Sequence, residues 1–404
     1  MKKILKILFT FLLITIVISC NKKKDVEELF NDTRSGVVLI MNNYYYSLRL
    51  SNGNKIYFSG IDDNGTIQNL TDDKKQAEAN ANSLSGTGFF IDSDGTIMTN
   101  RHVAEPSLDK DLVIRSLNQI YTYIDRLYQL QMNSLYAKIE AIQRKGVNSQ
   151  NSYDEYESDY EDYEDENGNE PDIYEDENGE DYHDYDDYQE AQHLNEANRL
   201  EKQLIGKINY IKEERDKLYQ LSLSDIKIET ISKIGVVYDN SILSSDNDVY
   251  NTNRCDIKKV SNIDNIDLAL LQLRTKCTPS SSYIFNVYSK RDEPLTNKII
   301  SLFKSDKTGN LKIGQQLYML GYNAGMIVAN TKQGIKVQMT GGKITQLPDG
   351  ERLLYNIPTV QGSSGGPVID EYGNLVAVNF AKLVISDNFN FGIPINKIRT
   401  FLDS

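Results

Sequence analysis

The chain has 404 residues, of which 39% are hydrophobic and 25% are charged, proportions that exclude a chain disordered throughout and leave room for two or more small cores. Its net charge of −14 is a local feature, because 19 of its 58 acidic residues lie between positions 153 and 189, where no Lys or Arg occurs. The remaining residues carry 39 acids against 44 bases, so the acidity belongs to one segment.

The first twenty residues, "MKKILKILFTFLLITIVISC", have the layout of an export signal. Three lysines precede an apolar run from Ile7 to Ile18 that is too short to cross a bilayer comfortably, and Ser19 and Cys20 follow it. The stretch resembles a bacterial lipoprotein signal, in which Cys20 becomes the lipidated first residue of a protein held in the cell envelope, on the periplasmic side or at the cell surface. The alternative is an ordinary signal with an incidental cysteine.

Lipidation of Cys20 would leave two other cysteines, Cys255 and Cys277. Exported proteins can oxidise such a pair to a disulfide. The segment between them, "DIKKVSNIDNIDLALLQLRTK", fits two antiparallel strands whose ends come close together. We therefore expect Cys255 and Cys277 to be paired.

Strand-forming segments follow the signal. "GVVLIMNNYYYSLRL" and "KIYFSGI" are rich in β-branched and aromatic residues and are bounded by Asn/Gly turns. Next along the chain, "GTGFFIDSDGTIMTNRHVA" predicts a hairpin that turns at Asp94 and Gly95.

Between 107 and 224 the apolar periodicity becomes helical. Apolar residues recur in steps of three and four on both sides of the acidic tract, over two stretches of roughly 34 residues, or about 50 Å each. Their equal lengths predict an antiparallel helical hairpin with a disordered acidic tip at 153–189. The tip repeats "YEDENG", but a tyrosine occupies the place of the first ligand of a calcium-binding loop, so no metal site is predicted.

From 226 onward strand-like segments return, among them "IDLALLQL", "QQLYMLGY" and "NLVAVNFAKLVI". The segment "INKIRTFLD" predicts a short closing helix. Outside the helical insertion the chain is thus mainly β, with a dozen or so short strands, a pattern typical of barrels and sandwiches.

The turn "GSSGGPV", at 362–368, places two serines between apolar strands. A serine hydroxyl becomes a nucleophile only when a base takes its proton, and histidine is the usual base. Of three histidines, His183 and His193 lie in or beside the acidic tract, whereas His102 directly follows the "GTIMTN" strand. Asp267 begins the apolar strand "DLALLQL" and is the candidate carboxylate that orients the base.

Three segments in chain order, "GTGFFIDSDGTIMTNRHVA", "DLALLQL" and "GSSGGPV", resemble the trypsin-like serine proteases, most closely the bacterial HtrA/Deg type. The resemblance covers roughly 85–105 and 225–404. It implies a chymotrypsin-like fold of two six-stranded antiparallel β-barrels with the helical hairpin inserted. Because no PDZ-like sequence follows the second barrel, we expect a protease domain without PDZ.

The signal, the helical periodicity and the protease resemblance together predict five segments. They are a signal (1–20), the first part of the first barrel with the catalytic histidine (21–106), the helical insertion (107–224), the remainder of the first barrel with the catalytic aspartate (225–285), and the second barrel with the catalytic serine (286–404).

The resemblance also assigns roles residue by residue. Ser364 matches the nucleophile of the family's Gly-x-Ser-Gly-Gly motif, and Ser363 fills its variable position. His102 matches the base and Asp267 the carboxylate that fixes its tautomer. The backbone N–H groups of Gly362 and Ser364 would form the oxyanion hole.

Neighbouring positions bear on specificity and activation. Pro358 stands where relatives that cleave after Arg or Lys carry an aspartate, so that specificity is not expected. Thr359 matches a threonine of glutamyl endopeptidases, whereas Asn379 stands where those enzymes have a histidine, and both are candidate substrate-binding residues. Ser363 replaces the aspartate that pairs with a new N-terminus in digestive relatives, so activation by propeptide cleavage is not expected.

The sequence therefore predicts an exported, lipid-anchored serine endopeptidase that needs no cofactor. Its expected partners are peptide or protein substrates, the membrane through Cys20, and a basic protein at the acidic tip, but not nucleic acid. The alternative is a catalytically weak or inactive protease-fold scaffold whose acidic hairpin binds a basic protein or cations.

Overall fold

The computed structural model describes residues 23–157, 183–223, 226–243, 245–263, 265–287, 311–382 and 390–404. Contacts divide the chain into two compact units. The first unit combines 1–48, 55–109 and 228–404, and the second combines 49–54 with 110–227. The second unit contains the predicted helical insertion.

The helices of the first unit are short, and the second unit contains two long helices. The helices are Val26–Thr33 (α1), Lys74–Ala79 (α2), Arg101–Ala104 (α3), Lys110–Glu157 (α4), His183–Tyr219 (α5), Asp246–Thr252 (α6), Met326–Ala329 (α7) and Ile395–Asp403 (α8). The strands are Val37–Arg49 (β1), Lys55–Phe58 (β2), Gly60–Ile61 (β3), Ile67–Gln68 (β4), Asn82–Phe90 (β5), Thr96–Thr99 (β6), Lys227–Tyr238 (β7), Arg254–Val260 (β8), Ala269–Leu273 (β9), Gln316–Gly321 (β10), Asn330–Thr331 (β11), Gly334–Ile335 (β12), Gln338–Gln346 (β13), Leu353–Tyr355 (β14), Pro367–Asp370 (β15), Leu375–Lys382 (β16) and Asn390–Pro394 (β17).

The first barrel has six strands in the order β1-β5-β6-β9-β8-β7, and the pairing of β7 with β1 closes it. Successive side chains of a strand face opposite sides of its sheet. Val38 and Ile40 accordingly pack in a core made only of residues from this barrel. Val37 and Leu39 pack in a second core that also contains residues of the second barrel. Burial on both faces explains why β1 begins with an unbroken apolar run.

The second barrel is closed in the order β10-β13-β14-β17-β16-β15. Its own core consists of Leu317, Met319, Ile344, Leu353, Tyr355, Ile357, Val368, Val376 and Ala377. The predicted closing helix is α8, whose Ile398 and Phe401 are fully buried in the core shared by the two barrels. The predicted mainly β fold with two six-stranded antiparallel barrels is therefore confirmed.

The second unit is a pair of antiparallel helices, as predicted. Arg215 of α5 donates hydrogen bonds to both carboxylate oxygens of Asp125 on α4, at 2.6 and 3.3 Å. Farther along α4, Gln143 donates to Glu201 at 2.8 Å. Residue numbers therefore increase along α4 while those of its partners on α5 decrease, which shows that the two helices run antiparallel. Ile139, Leu204 and Ile208 form the apolar contact between the helices.

The helices are longer than predicted. With 48 residues, α4 extends about 70 Å at 1.5 Å per residue. It ends at Glu157, and α5 begins at His183, so both ends of the predicted acidic tip are helical. The rest of the tip, the signal and Cys20 lie outside the described residues. Among the helices that are described, none is long and apolar enough to cross a membrane.

The expected disulfide is absent: Cys255 and Cys277 are both free. β8 and β9 do run antiparallel, as predicted, but Cys255 pairs across the sheet with Leu273, four residues before Cys277. Cys255 is buried in the core of the first barrel, whereas Cys277 is exposed in the segment after β9. The pairing prediction was wrong because strand alignment alone does not bring the two sulfur atoms together.

The two thiols should therefore react very differently. Burial raises the pKa of the Cys255 thiol to about 12, so at pH 8 it remains a protonated, shielded thiol. We expect iodoacetamide to alkylate Cys277 but not Cys255 in the native chain lacking residues 1–20, and both after denaturation. Mass spectrometry of the labelled peptides measures this, and equal labelling of both native thiols would contradict the buried position of Cys255.

Candidate active site

Strand pairing brings His102 and Asp267 together across 165 positions of sequence. Thr99 at the end of β6 pairs with Ala269 at the start of β9, so the residues just beyond these strand ends are neighbours. The backbone N–H of His102 donates to Asp267 Oδ1 at 3.0 Å, and His102 Nδ1 lies 2.6 Å from Asp267 Oδ2. Because an ionised carboxylate only accepts, Nδ1 carries the proton and Nε2 is left available as an acceptor.

Asn100 adds a third bond to this arrangement. It is buried, and its side-chain amide donates to the backbone oxygen of Asp267 at 2.8 Å. Asp267 is thus held through its backbone by Asn100 and through its carboxylate by His102. The sequence analysis assigned Asn100 no role, although it lies within the segment "GTGFFIDSDGTIMTNRHVA".

The two adjacent serines have different environments. Ser363 is 2% exposed, and its hydroxyl donates to the backbone oxygen of Val360 at 2.7 Å. Ser364 is only half-buried. The hydroxyl proton of Ser363 is thus used inside the protein, and the choice of Ser364 as the nucleophile stays a prediction.

Glycines allow this turn to pack closely. Gly362 and Gly365 have φ angles of 97° and 86°, in the left-handed region that favours glycine. A Cβ at Gly362 would overlap the backbone oxygen of Tyr322, and one at Gly365 would overlap the backbone oxygen of Thr87. Two glycines flanking the serines therefore permit the second barrel's turn to lie directly against neighbouring backbone.

The serine turn also lies beside the segment that leads to His102. The backbone N–H of Thr87 donates to the oxygen of Ser364 at 2.8 Å. A Cβ at Gly365 would lie 3.0 Å from the backbone nitrogen of Asn100, two residues before His102. The three residues predicted to be catalytic therefore come from segments that pack together in one region, between the two barrels.

Two backbone N–H groups in the turn donate no hydrogen bond to any residue that the structure describes. Ser363 N–H donates to Val360 and Gly365 N–H to Asn379, each to a backbone oxygen. Within the part of the chain that the structure describes, the N–H groups of Gly362 and Ser364 donate no hydrogen bond. Such unpaired donors beside a nucleophile are what an oxyanion hole requires.

The candidate substrate-binding residue Asn379 lies behind the turn. It is 2% exposed, its amide donates to both the backbone oxygen and the hydroxyl of Ser363 at 3.2 Å, and its oxygen accepts from Tyr355 at 2.7 Å. Contact with substrate through this amide would break those bonds. The structure therefore makes Asn379 a support for the serine turn, which a match by spacing alone did not reveal.

Thr359 is also buried, and its hydroxyl donates to Asn390 Oδ1 at 2.7 Å. Asn390, at the start of β17, in turn donates to the backbone oxygen of Ile357 at 2.6 Å. Sequence reasoning missed Asn390, because nothing in "NFNFGIP" distinguishes it from an ordinary turn residue. Residues 383–389, which precede it, lie outside the described residues. In the described ranges, no group of His, Cys, Asp or Glu side chains is placed to hold a metal ion.

Comparisons with known proteins extend these observations. Residues 227–378 match the profile of the family described as "Trypsin-like peptidase domain". The matched span contains Asp267 and Ser364, whereas His102 precedes it, on the other side of the helical insertion. No curated protein matches the chain.

Two solved structures show a distant likeness to the chain. The Rv3671c protease from M. tuberculosis in its active form is 13% identical, with a TM-score of 0.36 over 93% of this chain and 82% of that chain. An inactive form of the same protein, with a serine replaced by alanine, is 12% identical, with a TM-score of 0.33 over 93% and 88%. Neither likeness carries weight at such scores. The family match over residues 227–378, together with the two closed barrels, shows that the chain contains a trypsin-like peptidase domain.

Proposed function

We propose that this peptidase is an exported, lipid-anchored endopeptidase that cleaves peptide bonds through a Ser364–His102–Asp267 triad and an acyl-enzyme. The observation that carries the proposal is the double contact between Asp267 and His102, next to a glycine-flanked turn that contains Ser364. The alternative, an inactive protease-fold scaffold, does not require a carboxylate that holds both the backbone and the ring of a histidine.

The proposed chemistry follows from the hydrogen-bond roles of these groups. Ser364 Oγ attacks the substrate carbonyl carbon while His102 Nε2 takes the hydroxyl proton, and Asp267 stabilises the resulting imidazolium. The negative charge that develops on the substrate oxygen is met by the N–H groups of Gly362 and Ser364. His102 then gives its proton to the leaving amine, and the C–N bond breaks to leave an ester on Ser364.

A water molecule completes the cycle. His102 accepts a proton from this water, which attacks the ester carbonyl, and the proton then returns to Ser364 as the acid product leaves. The same two N–H groups stabilise the second oxyanion. The net reaction is hydrolysis of one peptide bond with the enzyme unchanged.

Two assays test this proposal on the chain lacking residues 1–20. A fluorophosphonate probe is expected to label one residue, Ser364, and a peptide library is expected to be cut at internal bonds, which also gives the specificity. Absence of both labelling and cleavage by the folded protein would favour the scaffold alternative. Cleavage that removes single residues from peptide ends would contradict the endopeptidase assignment.

The proposed anchor is a lipid on Cys20, supported by the signal-like residues before it. We expect Cys20→Ser to move the protein from the membrane fraction to the soluble fraction after cell lysis, because one lipidated residue would be its only attachment. Immunoblotting of the two fractions measures the change, and Ser19→Ala serves as the neighbouring control. A processed Cys20→Ser protein that stays with the membrane would show another attachment.

We further propose that the acidic segment 153–189 attracts a basic protein partner. Its support is charge alone: 19 acids and no Lys or Arg. Replacing 107–224 by a short Gly/Ser bridge should leave hydrolysis of a small peptide ester intact and lower processing of a basic protein substrate, with weaker dependence on salt. Loss of ester hydrolysis by a folded bridged protein would show that the insertion belongs to the catalytic site.

A further inference from the structure

Thr87, in the middle of β5, is fully buried and is hydrogen-bonded to several segments around the candidate site. Two of its bonds come from its hydroxyl and two from its backbone, at distances between 2.7 and 3.0 Å. Thr87 belongs to the first barrel, whereas three of its four partners are residues that lie beyond β9 in the chain. It is therefore a connection between the barrels at the site.

The hydroxyl of Thr87 links the two segments that form the back of the serine turn. It accepts from the backbone N–H of Tyr322 at 3.0 Å and donates to the backbone oxygen of Gly362 at 2.7 Å. Because the N–H of Tyr322 can only donate, the single hydroxyl proton is left to point at Gly362. Both hydrogen-bonding roles of the hydroxyl are therefore used.

The backbone of Thr87 reaches the other two segments. Its N–H donates to the backbone oxygen of Ser364 at 2.8 Å, and its oxygen accepts from the hydroxyl of Thr99 at 2.7 Å. Thr99 ends β6, three residues before His102. One residue thus contacts the nucleophile's own carbonyl group and the strand that leads to the base.

These bonds restrict the direction of one of the proposed oxyanion donors, the N–H of Ser364. The N–H of Ser364 belongs to the peptide group that lies between the carbonyls of Gly362 and Ser364, both of which are bonded to Thr87. A peptide group is planar, so anchoring the carbonyls on both sides restricts the direction of the N–H between them. Oxyanion donors are effective because they are oriented before the charge develops.

We propose that Thr87 is a positioning residue for catalysis, whose hydroxyl orients the oxyanion-hole backbone of the second barrel from a strand of the first. The inference rests on the proposed function, since it assigns Thr87 to the Gly362–Ser364 donors. Substitutions of Thr87 can distinguish a positioning role of its hydroxyl from a packing role of its methyl group. Valine keeps the shape of threonine and removes the hydroxyl, whereas serine keeps the hydroxyl and removes the methyl group.

The test measures steady-state hydrolysis of a peptide amide and inhibition by a peptide aldehyde, whose adduct places a charged oxygen in the oxyanion hole. For Thr87→Val we expect kcat to fall about 10- to 100-fold, the range for a small misplacement of catalytic groups, with KM nearly unchanged. Affinity for the aldehyde should fall by a similar factor. Thr87→Ser should restore kcat to within about threefold of the wild-type value, because the hydroxyl is retained.

Thr278→Val is the matched control. Like that of Thr87, the hydroxyl of Thr278 donates one hydrogen bond and accepts one. It donates to the backbone oxygen of Asp92 at 2.6 Å and accepts from the N–H of Gly95 at 3.0 Å. These contacts lie in the Asp94–Gly95 turn of the first barrel, apart from the serine turn. The control should lose stability to a similar degree and keep its kcat.

Several results would overturn the inference. These are an unchanged kcat in Thr87→Val, an equal loss in Thr87→Ser, which would assign the effect to the methyl group, or an equal loss in the folded Thr278→Val control. If Thr87→Val does not fold, Thr87→Ala removes the hydroxyl without adding bulk, and if neither folds while Thr87→Ser does, the hydroxyl serves folding and not positioning. An inactive wild-type protein would instead refute the proposed function.

Discussion

Ser364→Ala is expected to abolish fluorophosphonate labelling and to lower kcat for peptide hydrolysis by roughly 10⁶-fold, as removal of the nucleophile from an intact triad does. Alanine leaves the turn and its glycines unchanged, so the loss should occur without a change in fold. Binding and the oxyanion donors should still leave about 10³–10⁴-fold acceleration over the uncatalysed reaction. Steady-state kinetics at high enzyme concentration and circular dichroism of the same sample measure both parts.

Ser363→Ala is the control built into the chain. Its hydroxyl is bonded to Val360 and to Asn379, inside the turn. Loss of these bonds should cost about 1 kcal/mol of stability, measured by thermal unfolding, and leave most of the activity. An inactive Ser363→Ala beside an active Ser364→Ala would reverse the assignment of the nucleophile.

Asp267→Asn is expected to lower kcat about 10⁴-fold while the fold is retained. Asp267 accepts from the backbone N–H of His102 through one oxygen and from the ring through the other. An asparagine has only one side-chain oxygen, and if that oxygen keeps the backbone bond, its NH₂ group faces Nδ1. The ring must then place its proton on Nε2, the nitrogen that has to accept the proton of Ser364.

Steady-state kinetics and NMR of the imidazole N–H measure this second prediction. Asp256→Asn is the control, because Asp256 is an exposed carboxylate paired with Arg274 at 3.0 Å on the surface of β8. That variant should keep wild-type kcat. A near wild-type Asp267→Asn would mean that His102 is held in its tautomer by some other group, and the proposed triad would be wrong.

The confirmed predictions came from local patterns in the sequence. Richness in β-branched and aromatic residues predicted strands such as β1, and apolar steps of three and four predicted α4 and α5, because both signals come from neighbouring residues. The choice of Ser364 over Ser363 as the nucleophile used only the motif and its spacing, and it stays a prediction. The predicted helix ends were wrong because the high charge and tyrosine content near 153 and 189 was interpreted as disorder. The helices in fact extend to Glu157 and begin again at His183.

The other predictions that the structure contradicts depend on strand register between segments that lie apart in sequence. Cys255 and Cys277 lie on segments that do pair, yet the register of β8 with β9 places Leu273 opposite Cys255. Asn379 was matched to a substrate-binding position by its distance from Ser364 in sequence, but β16 carries its amide behind the serine turn. Counting positions along a chain does not give the direction of a side chain.

Propensity, periodicity and short motifs are properties of neighbouring residues, so they were enough to predict the mainly β architecture, the helical insertion and the candidate serine, histidine and aspartate. The folded protein was needed to show that Asp267 holds His102 at two points, that the cysteines stay apart, and that Thr87 of one barrel is bonded to Gly362 and Ser364 of the other. These facts depend on strand register and barrel closure, which set contacts between residues that are not neighbours in the chain and therefore leave no local signal in it.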